Sequence, residues 1–341
     1  MDLPDLEAEA KSKIDATFYD YIAGGAEDER TLTDNEAAWS RFRLRPKVLR
    51  DVRSIDTTTT VLGARISSPV AVAPMAMQHR ASETGPVATA RASAATGALF
   101  CMGLFGAGSA KAVAAVPDDA PRWLQVYVLA DRERSVAAIA RSADQGYGAV
   151  MLTVDVARQG NRRRDARNRW TFQQSDGQVE DPNELFDHAL TFDDIHWFSE
   201  RSPIPLVVKG VMRGDDANAC IDAGAAGIVV SNHGGRQLDG ALATADALSE
   251  VVDSVAGRAE VYVDGGIRRG QHVVKALALG AQAVFVGRPV MWGLIAADQK
   301  GVEGVLRGFQ NEVERVMALC GVREVSEIDA SLLAPRAQDF A

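Results

Sequence analysis

AGIVVSNHGGRQLD, residues 226–239, is the stretch on which the reading of this chain turns. Ala226 to Val230 is a short apolar run, long enough for one buried strand. It stops at a polar cluster, Ser231, Asn232, His233, Gly234, Gly235, Arg236 and Gln237. A strand that carries His and Arg at its C-terminal tip is how a parallel α/β barrel presents chemistry. Histidine moves protons near neutral pH. Arginine clamps a carboxylate because its planar fork reaches both oxygens. A lone histidine in such a turn is more often structural, so the rest of the chain has to decide.

Outward from this stretch the same rhythm repeats. Candidate strands are PVAVAPMA (69–76), ALFCMG (98–103), RWLQVYV (122–128), AVMLTVD (149–155), PLVVKGV (205–211), AGIVVSN (226–232), VYVDGGI (261–267) and AVFVGR (283–288). Helical patterns fill the gaps at 83–96, 109–116, 132–145, 215–223, 244–255 and 270–279. Strands alternating with helices imply a parallel sheet covered on both faces. Eight such units predict closure into a (β/α)8 TIM barrel. An open doubly wound sheet is the alternative, but no GxGxxG follows the first strand.

Residues 1–68 read as an N-terminal extension of helices (5–14 and 17–23) and an irregular wrap, in which TTTTVLG predicts a short hairpin turned at Gly63. The barrel is assigned to 69–300 and C-terminal helices to 301–341, including a long amphipathic one over 302–319. The gap between the fourth and fifth strands is about twice the others. Its polar stretch TFQQSDGQVEDPNELFD (171–187) marks 156–204 as a lid. A helix resumes at 192–202, with Thr191 or Asp193 as its cap. The whole is read as one domain.

Composition narrows the function classes. The 341 residues are 47% hydrophobic and carry a net charge of −9. That charge argues against nucleic acid as a partner. The local cluster Arg162, Arg163 and Arg164 reads as a site or a solvated lid. Cys101, Cys220 and Cys320 form neither a disulfide framework nor a metal-ligand pattern. No apolar run approaches the roughly 18 residues of a membrane span. The N-terminus lacks signal-peptide features and AQDFA is no familiar targeting tail, so the expectation is a cytoplasmic protein.

The predicted C-terminal strand ends collect Pro74, Met75 and Ala76; Gly103; Gln125 and Tyr127; Thr153 and Asp155; Lys209; Ser231, His233 and Arg236; Asp264 and Arg268; Gly287 and Arg288. Each alone has a bland reading as a core or surface residue. Their common placement does not. DGGIRRG (264–270) and VGRP (286–289) are glycine turns followed by helices, which suit an anion. The loops after strands seven and eight are the usual phosphate site of such barrels. These residues predict a phosphate-bearing ligand beside a His/Arg site.

SNHGGRQLD, VDGGIRRG and VGRP together resemble the FMN-dependent 2-hydroxy-acid oxidases and dehydrogenases, the family of glycolate oxidase, lactate oxidase and mandelate dehydrogenase. YDYIAGGAEDERTL (19–32), APMAM (73–77), QVY (125–127), LTVD (152–155), GNRRRD (160–165) and VKG (208–210) follow in the family's order, so the resemblance spans nearly the whole chain. It implies FMN as cofactor and oxidation of an (S)-2-hydroxy acid to the 2-oxo acid. By this resemblance His233 matches the catalytic base and Asp155 the carboxylate that orients it. Arg162 and Arg236 match the substrate-carboxylate arginines, and Tyr21 and Tyr127 the tyrosines that touch substrate. Lys209 matches the lysine beside the flavin N1/C2 carbonyl. Pro74, Met75, Ala76, Gly103, Gln125, Thr153 and Ser231 match positions around the flavin ring and ribityl chain. Asp264, Gly266, Arg268, Gly287 and Arg288 match ribityl and phosphate contacts. No metal is implied. Homo-oligomers, often tetramers, are usual in the family.

The sequence departs from the family pattern at several places. Gly103 replaces a frequent serine, Phe105 a tryptophan of glycolate oxidase-like members, and Gln159 an apolar residue. Ile22 follows Tyr21 where some members have a second tyrosine. Ala76 keeps the small residue of oxidase-like members and leans the electron acceptor toward O2. A quinone, cytochrome or protein acceptor is the alternative, as is a specialised oxidase of an aryl or large hydroxy acid. A non-catalytic flavin- or phosphate-binding barrel is the reading from another class, and the intact set of His233, Arg236, Arg162, Tyr21 and Lys209 speaks against it.

Overall fold

In a computed structural model that describes residues 2–116, 121–171 and 185–334, every one of the eight expected strands forms. After a hairpin of β1 (Thr59–Val61) and β2 (Ala64–Ile66), the barrel strands are β3 (Val70–Val72), β4 (Phe100–Gly103), β5 (Arg122–Tyr127) and β6 (Ala149–Thr153). They continue with β7 (Leu206–Val211), β8 (Gly227–Val230), β9 (Glu260–Val263) and β10 (Ala283–Val286). β10 pairs with β3, so the parallel sheet closes.

The two-residue period of a strand sorts its side chains between two cores. Ala71, Leu99, Cys101, Trp123, Met151, Val207, Val229, Tyr262 and Phe285 fill the barrel interior. Val70, Val72, Phe100, Val150, Val208, Ile228 and Val284 face the helices. Trp123, Tyr262 and Phe285 pack as an aromatic plug with centroids 5.4–5.9 Å apart. The expected hairpin forms and turns at Leu62 and Gly63, both at positive φ. The Leu62 N–H donates to the Glu260 carboxylate at the start of β9, and Val61 and Ile66 join the interior core. The hairpin thereby stops the N-terminal end of the barrel. The described cleft opens at the C-terminal end.

Three helices, α1 (Leu3–Lys13), α2 (Ala16–Ala23) and α3 (Arg30–Ala37), precede the wrap. The chain between α2 and α3 lies on the turn after β8: the Ala26 N–H donates to the Gly235 carbonyl at 2.9 Å. Asp239 accepts from the N–H groups of Asp28 and Thr31 at the start of α3. Asn35 and Asn232 exchange two side-chain hydrogen bonds of 2.9 and 2.8 Å in a buried pair. This pair ties α3 to the residue before His233.

Two boundaries are defined by the structure. The last helix begins at Arg288, directly after β10, and runs to Cys320 with its break at Ala297 and Asp298. The expected division at 300/301 therefore lies just beyond that break, inside the helical run. Asp298 holds the break by accepting from Thr84 Oγ1 at 2.7 Å and from Ser82 Oγ. Thr191, rather than Asp193, caps the helix Phe192–Arg201, in a capping box with Asp194. Of the expected lid, 172–184 lie outside the described residues. Among the described residues no helix is long and apolar enough to cross a membrane.

Candidate active site

The strand ladder sets the spacing of the site. Register places Gly103 beside Gln125, Tyr127 beside Thr153, and Thr153 beside Lys209. Together with the ends of β8, β9 and β10 they open into one cleft. The cleft is lined from the end of α2 to the start of the last helix, by residues between Tyr21 and Met291.

His233 stands at its centre. Its Nδ1 lies 2.9 Å from Asp155 Oδ1. The backbone of His233 is left-handed (φ 59°), and so is that of Gly234 and Gly235. The turn is fixed by Ser231 Oγ accepting from the His233 N–H and by Asn232 Oδ1 accepting from the Gly235 N–H. Three consecutive left-handed residues explain the glycine pair after the histidine. A histidine at positive φ is uncommon and points to function.

Burial pushes His233 below its ordinary pKa, although Asp155 pulls the other way. Burial alone would raise Asp155, but the neighbouring His233 and Lys209 overrule it and hold its carboxyl below the usual range. With Asp155 ionised, Nδ1 carries the ring proton, and Nε2 keeps its lone pair for the cleft. Asp155 does not line the cleft; it stands behind His233, and its Oδ2 is buried without a partner among the described residues.

Gly210 makes room for this pair. The β7–β8 register shifts between Lys209 and Val211, and Gly210 has φ 111°. A Cβ there would sit 2.6 Å from the Cβ of Asp155. Gly210→Ala is expected to displace Asp155 and cut turnover by about 10²-fold, as misplacements near 1 Å do. Flavin reduction kinetics alongside FMN content would measure it.

Lys209 is buried and donates to Ser231 Oγ at 2.9 Å, with Asp264 at 3.5 Å. Burial disfavours its charge, yet Asp264 and Asp155 keep its pKa above the ordinary value. Ser231 is fully buried behind Lys209 and does not reach the cleft. Gln125 donates to Thr153 Oγ1 at 3.1 Å. A Cβ on Gly103 would meet the Met75 carbonyl at 3.3 Å, so glycine here leaves the floor open where a serine would be tight.

Arg162, Arg236, Tyr21 and Tyr127 line the same cleft. Burial, then Arg162, lowers the Arg236 pKa to about 10. Asp165 is the nearest anion, 4.0 Å from Arg162. Arg236 also donates to the carbonyls of Tyr21 and Gly24, at 2.7 and 2.8 Å. Arg288 donates to Ile22, Gly24 and Gly234 carbonyls. The two guanidinium groups thus satisfy carbonyls at the C-terminus of α2, where the helix dipole favours cations. Arg268 lines the cleft and pairs with Glu36 at 2.6 Å. Arg163 and Arg164 face away, binding Glu27, Asp28 and Glu29, and so staple the segment after β6 to the N-terminal residues.

Several contributors escaped the sequence reading. Phe186 packs at a tilt against Tyr127 (centroids 4.7 Å apart) and lies 6.1 Å from Phe105. Trp170 stacks on Tyr21 at 4.6 Å. Asp165, Asn35 and Gly210 act through residues that were named. An aromatic residue beside the GNRRRD motif was the only available signal for Trp170.

The cleft suits FMN on its own chemistry. Asp264 Oδ1 is buried, faces the cleft and lacks a partner among the described residues, as a group awaiting a hydroxyl would. Gly265, Gly266, Gly287 and the start of the helix at Arg288 form the glycine-rich end suited to phosphate. Ala73 to Ala76 and Gly103 give a flat floor, with Gln125, Thr153 and Lys209 as its polar edge.

Comparison with known proteins agrees. The chain is 42% identical to 2-hydroxyacid oxidase 1 of Mus musculus, over 97% of this chain and 95% of that protein. It is 43% identical to an L-lactate oxidase of Nostoc sp., over 98% of each. A crystal structure of mandelate oxidase superposes with a TM-score of 0.90 at 40% identity, covering 97% of this chain and 98% of that one. Residues 10–335 match the model of the family described as FMN-dependent dehydrogenase. The chain belongs to the FMN-dependent dehydrogenase family, and FMN is its cofactor.

Proposed function

We propose that this enzyme oxidises an (S)-2-hydroxy acid with an aryl or otherwise large side chain to the 2-oxo acid, and that O2 takes the electrons. The observation that carries the reading is the His233–Asp155 pair, 2.9 Å apart, in one cleft with Arg162 and Arg236. Bound FMN supplies a two-electron acceptor. Arg162 and Arg236 hold the substrate carboxylate, and Tyr21 and Tyr127 flank it. His233 Nε2 takes a proton from the substrate, while Asp155 accepts the Nδ1–H bond and stabilises the imidazolium. Lys209 lends positive charge at the polar edge of the floor, where Gln125, Thr153 and Ser231 hold or support the cofactor. Asp264, Gly266, Arg268, Gly287 and Arg288 serve its ribityl and phosphate end, and Pro74, Met75, Ala76 and Gly103 its ring.

The aryl preference is supported by the cluster of Phe105, Tyr127 and Phe186 at the cleft wall. Gln159 adds a polar edge to that wall. We read the whole chain as one FMN-binding domain. A cytoplasmic location fits the three buried free thiols. A homo-oligomer fits the exposure of Val48 (73%) and Leu49 (97%), which a neighbouring copy would cover.

The visible spectrum tests the central claim. The purified protein is expected to be yellow, to bleach on anaerobic addition of an aryl 2-hydroxy acid, and to regain colour within seconds of admitting air. Slow recovery in air would instead assign the electrons to a quinone or protein acceptor. A flavin that no 2-hydroxy acid bleaches would overturn the activity.

A further inference from the structure

Tyr21 is held by more than its own helix. The indole of Trp170 stacks on its ring with centroids 4.6 Å apart and planes 18° from parallel. The Arg236 guanidinium lies 5.0 Å from the same ring. Trp170 is itself braced: Phe18 lies 6.0 Å away, and the Arg80 guanidinium sits 4.8 Å from its ring centroid. Arg80 is fixed in turn by Asp15 at 2.9 Å. The backbone N–H of Trp170 donates to the Asp165 carbonyl, which ties the indole to the segment bearing Arg162. The indole Nε1 is buried without an acceptor among the described residues. The described contacts of this indole are therefore those of its ring face.

We propose that Trp170 is a positioning residue for substrate: its ring sets the Tyr21 ring, and so the tyrosine hydroxyl, and it makes docking of residues 161–170 part of substrate binding. The proposal rests on the functional reading above, in which Tyr21 touches the substrate. A stacked pair bridging two segments distant in sequence is coupled energetically, and the coupling is visible as non-additivity.

The test is a double-mutant cycle of W170A and Y21F in the holoenzyme. Two readouts are used: the Kd of phenylglyoxylate, an aryl 2-oxo acid, from the flavin difference spectrum, and kcat and KM for the matching 2-hydroxy acid. W170A is expected to weaken phenylglyoxylate about tenfold and to raise KM more than it lowers kcat. In the Y21F background the same change should cost under roughly twofold. W170F keeps an aromatic ring and is expected to restore binding to within about threefold of wild type, because the indole N–H has no acceptor among the described residues. W170L replaces W170A if that variant fails to fold. Additive effects of the two substitutions, or a W170F as defective as W170A, would overturn the proposal. A wild-type flavin that no 2-hydroxy acid reduces would instead sink the activity, while the cycle in phenylglyoxylate affinity still decides the role of Trp170.

Discussion

His233→Ala is expected to yield a yellow, folded protein whose flavin is reduced by 2-hydroxy acids about 10²–10⁴-fold more slowly, the range for loss of a positioned acid–base group. FMN content should be unchanged, since the groups at the ribityl and phosphate end lie on other strands. Anaerobic stopped-flow reduction measures the effect. Full activity in the variant would remove His233 as the base. The pH profile carries an independent sign. A base must be neutral to act, and burial holds His233 below its ordinary pKa. The acid limb of kcat/KM should therefore fall below about pH 6.5, the unperturbed histidine value. Asp155 raises the His233 pKa. Asp155→Asn should thus move that limb further to the acid side while turnover drops, because the tautomer and the imidazolium lose their support.

Arg236→Met is expected to raise KM and slow the chemical step together. Arg236 is a half-buried cation facing a second one, Arg162, and desolvation and that neighbour bring its pKa down to about 10. An arriving carboxylate neutralises the pair and is fixed by it. Truncating one member of a buried charge pair costs about 2–5 kcal/mol. A fall in kcat/KM of roughly 10²-fold or more is therefore expected, by steady-state kinetics. Arg236 also donates to the Tyr21 and Gly24 carbonyls, so α2 should loosen and thermal stability should drop with it. Arg162→Met makes the cleaner comparison, because its bond to the Arg236 carbonyl is long, at 3.4 Å. If both variants kept their KM, the carboxylate would dock elsewhere.

The barrel was legible in the sequence because each strand is a short apolar run, mostly β-branched, bounded by turn residues. Such signals are local. His233, Arg236 and Lys209 were legible for the same reason: each lies near or just past the C-terminal end of such a run. What stayed hidden depends on contacts across the chain. Asn35 matters only because it meets Asn232, and Phe186 only because it folds back on Tyr127. Gly210 looked like an ordinary strand glycine until Asp155 was found against it. Arg236 and Arg288 read as ligand-binding groups, whereas their bonds to the end of α2 require knowing that α2 lies over the barrel mouth. The break at Ala297 and Asp298 left no local signal, because neither position is a proline or glycine.

The docking of residues 19–35 on the turn at 231–236 sets a timetable for biosynthesis. Tyr21 leaves the ribosome 212 residues before His233, about 10–40 s at 5–20 residues per second. Throughout that interval the N-terminal segment lacks the turn on which it docks. The barrel cannot close until β10 is made, so the first residues synthesised are among the last to find their place. A chain lacking everything up to the end of α3 would keep the sequence of its eight barrel strands and its histidine, yet lose Tyr21, the α2-end carbonyls that accept from Arg236 and Arg288, and the seat of Trp170.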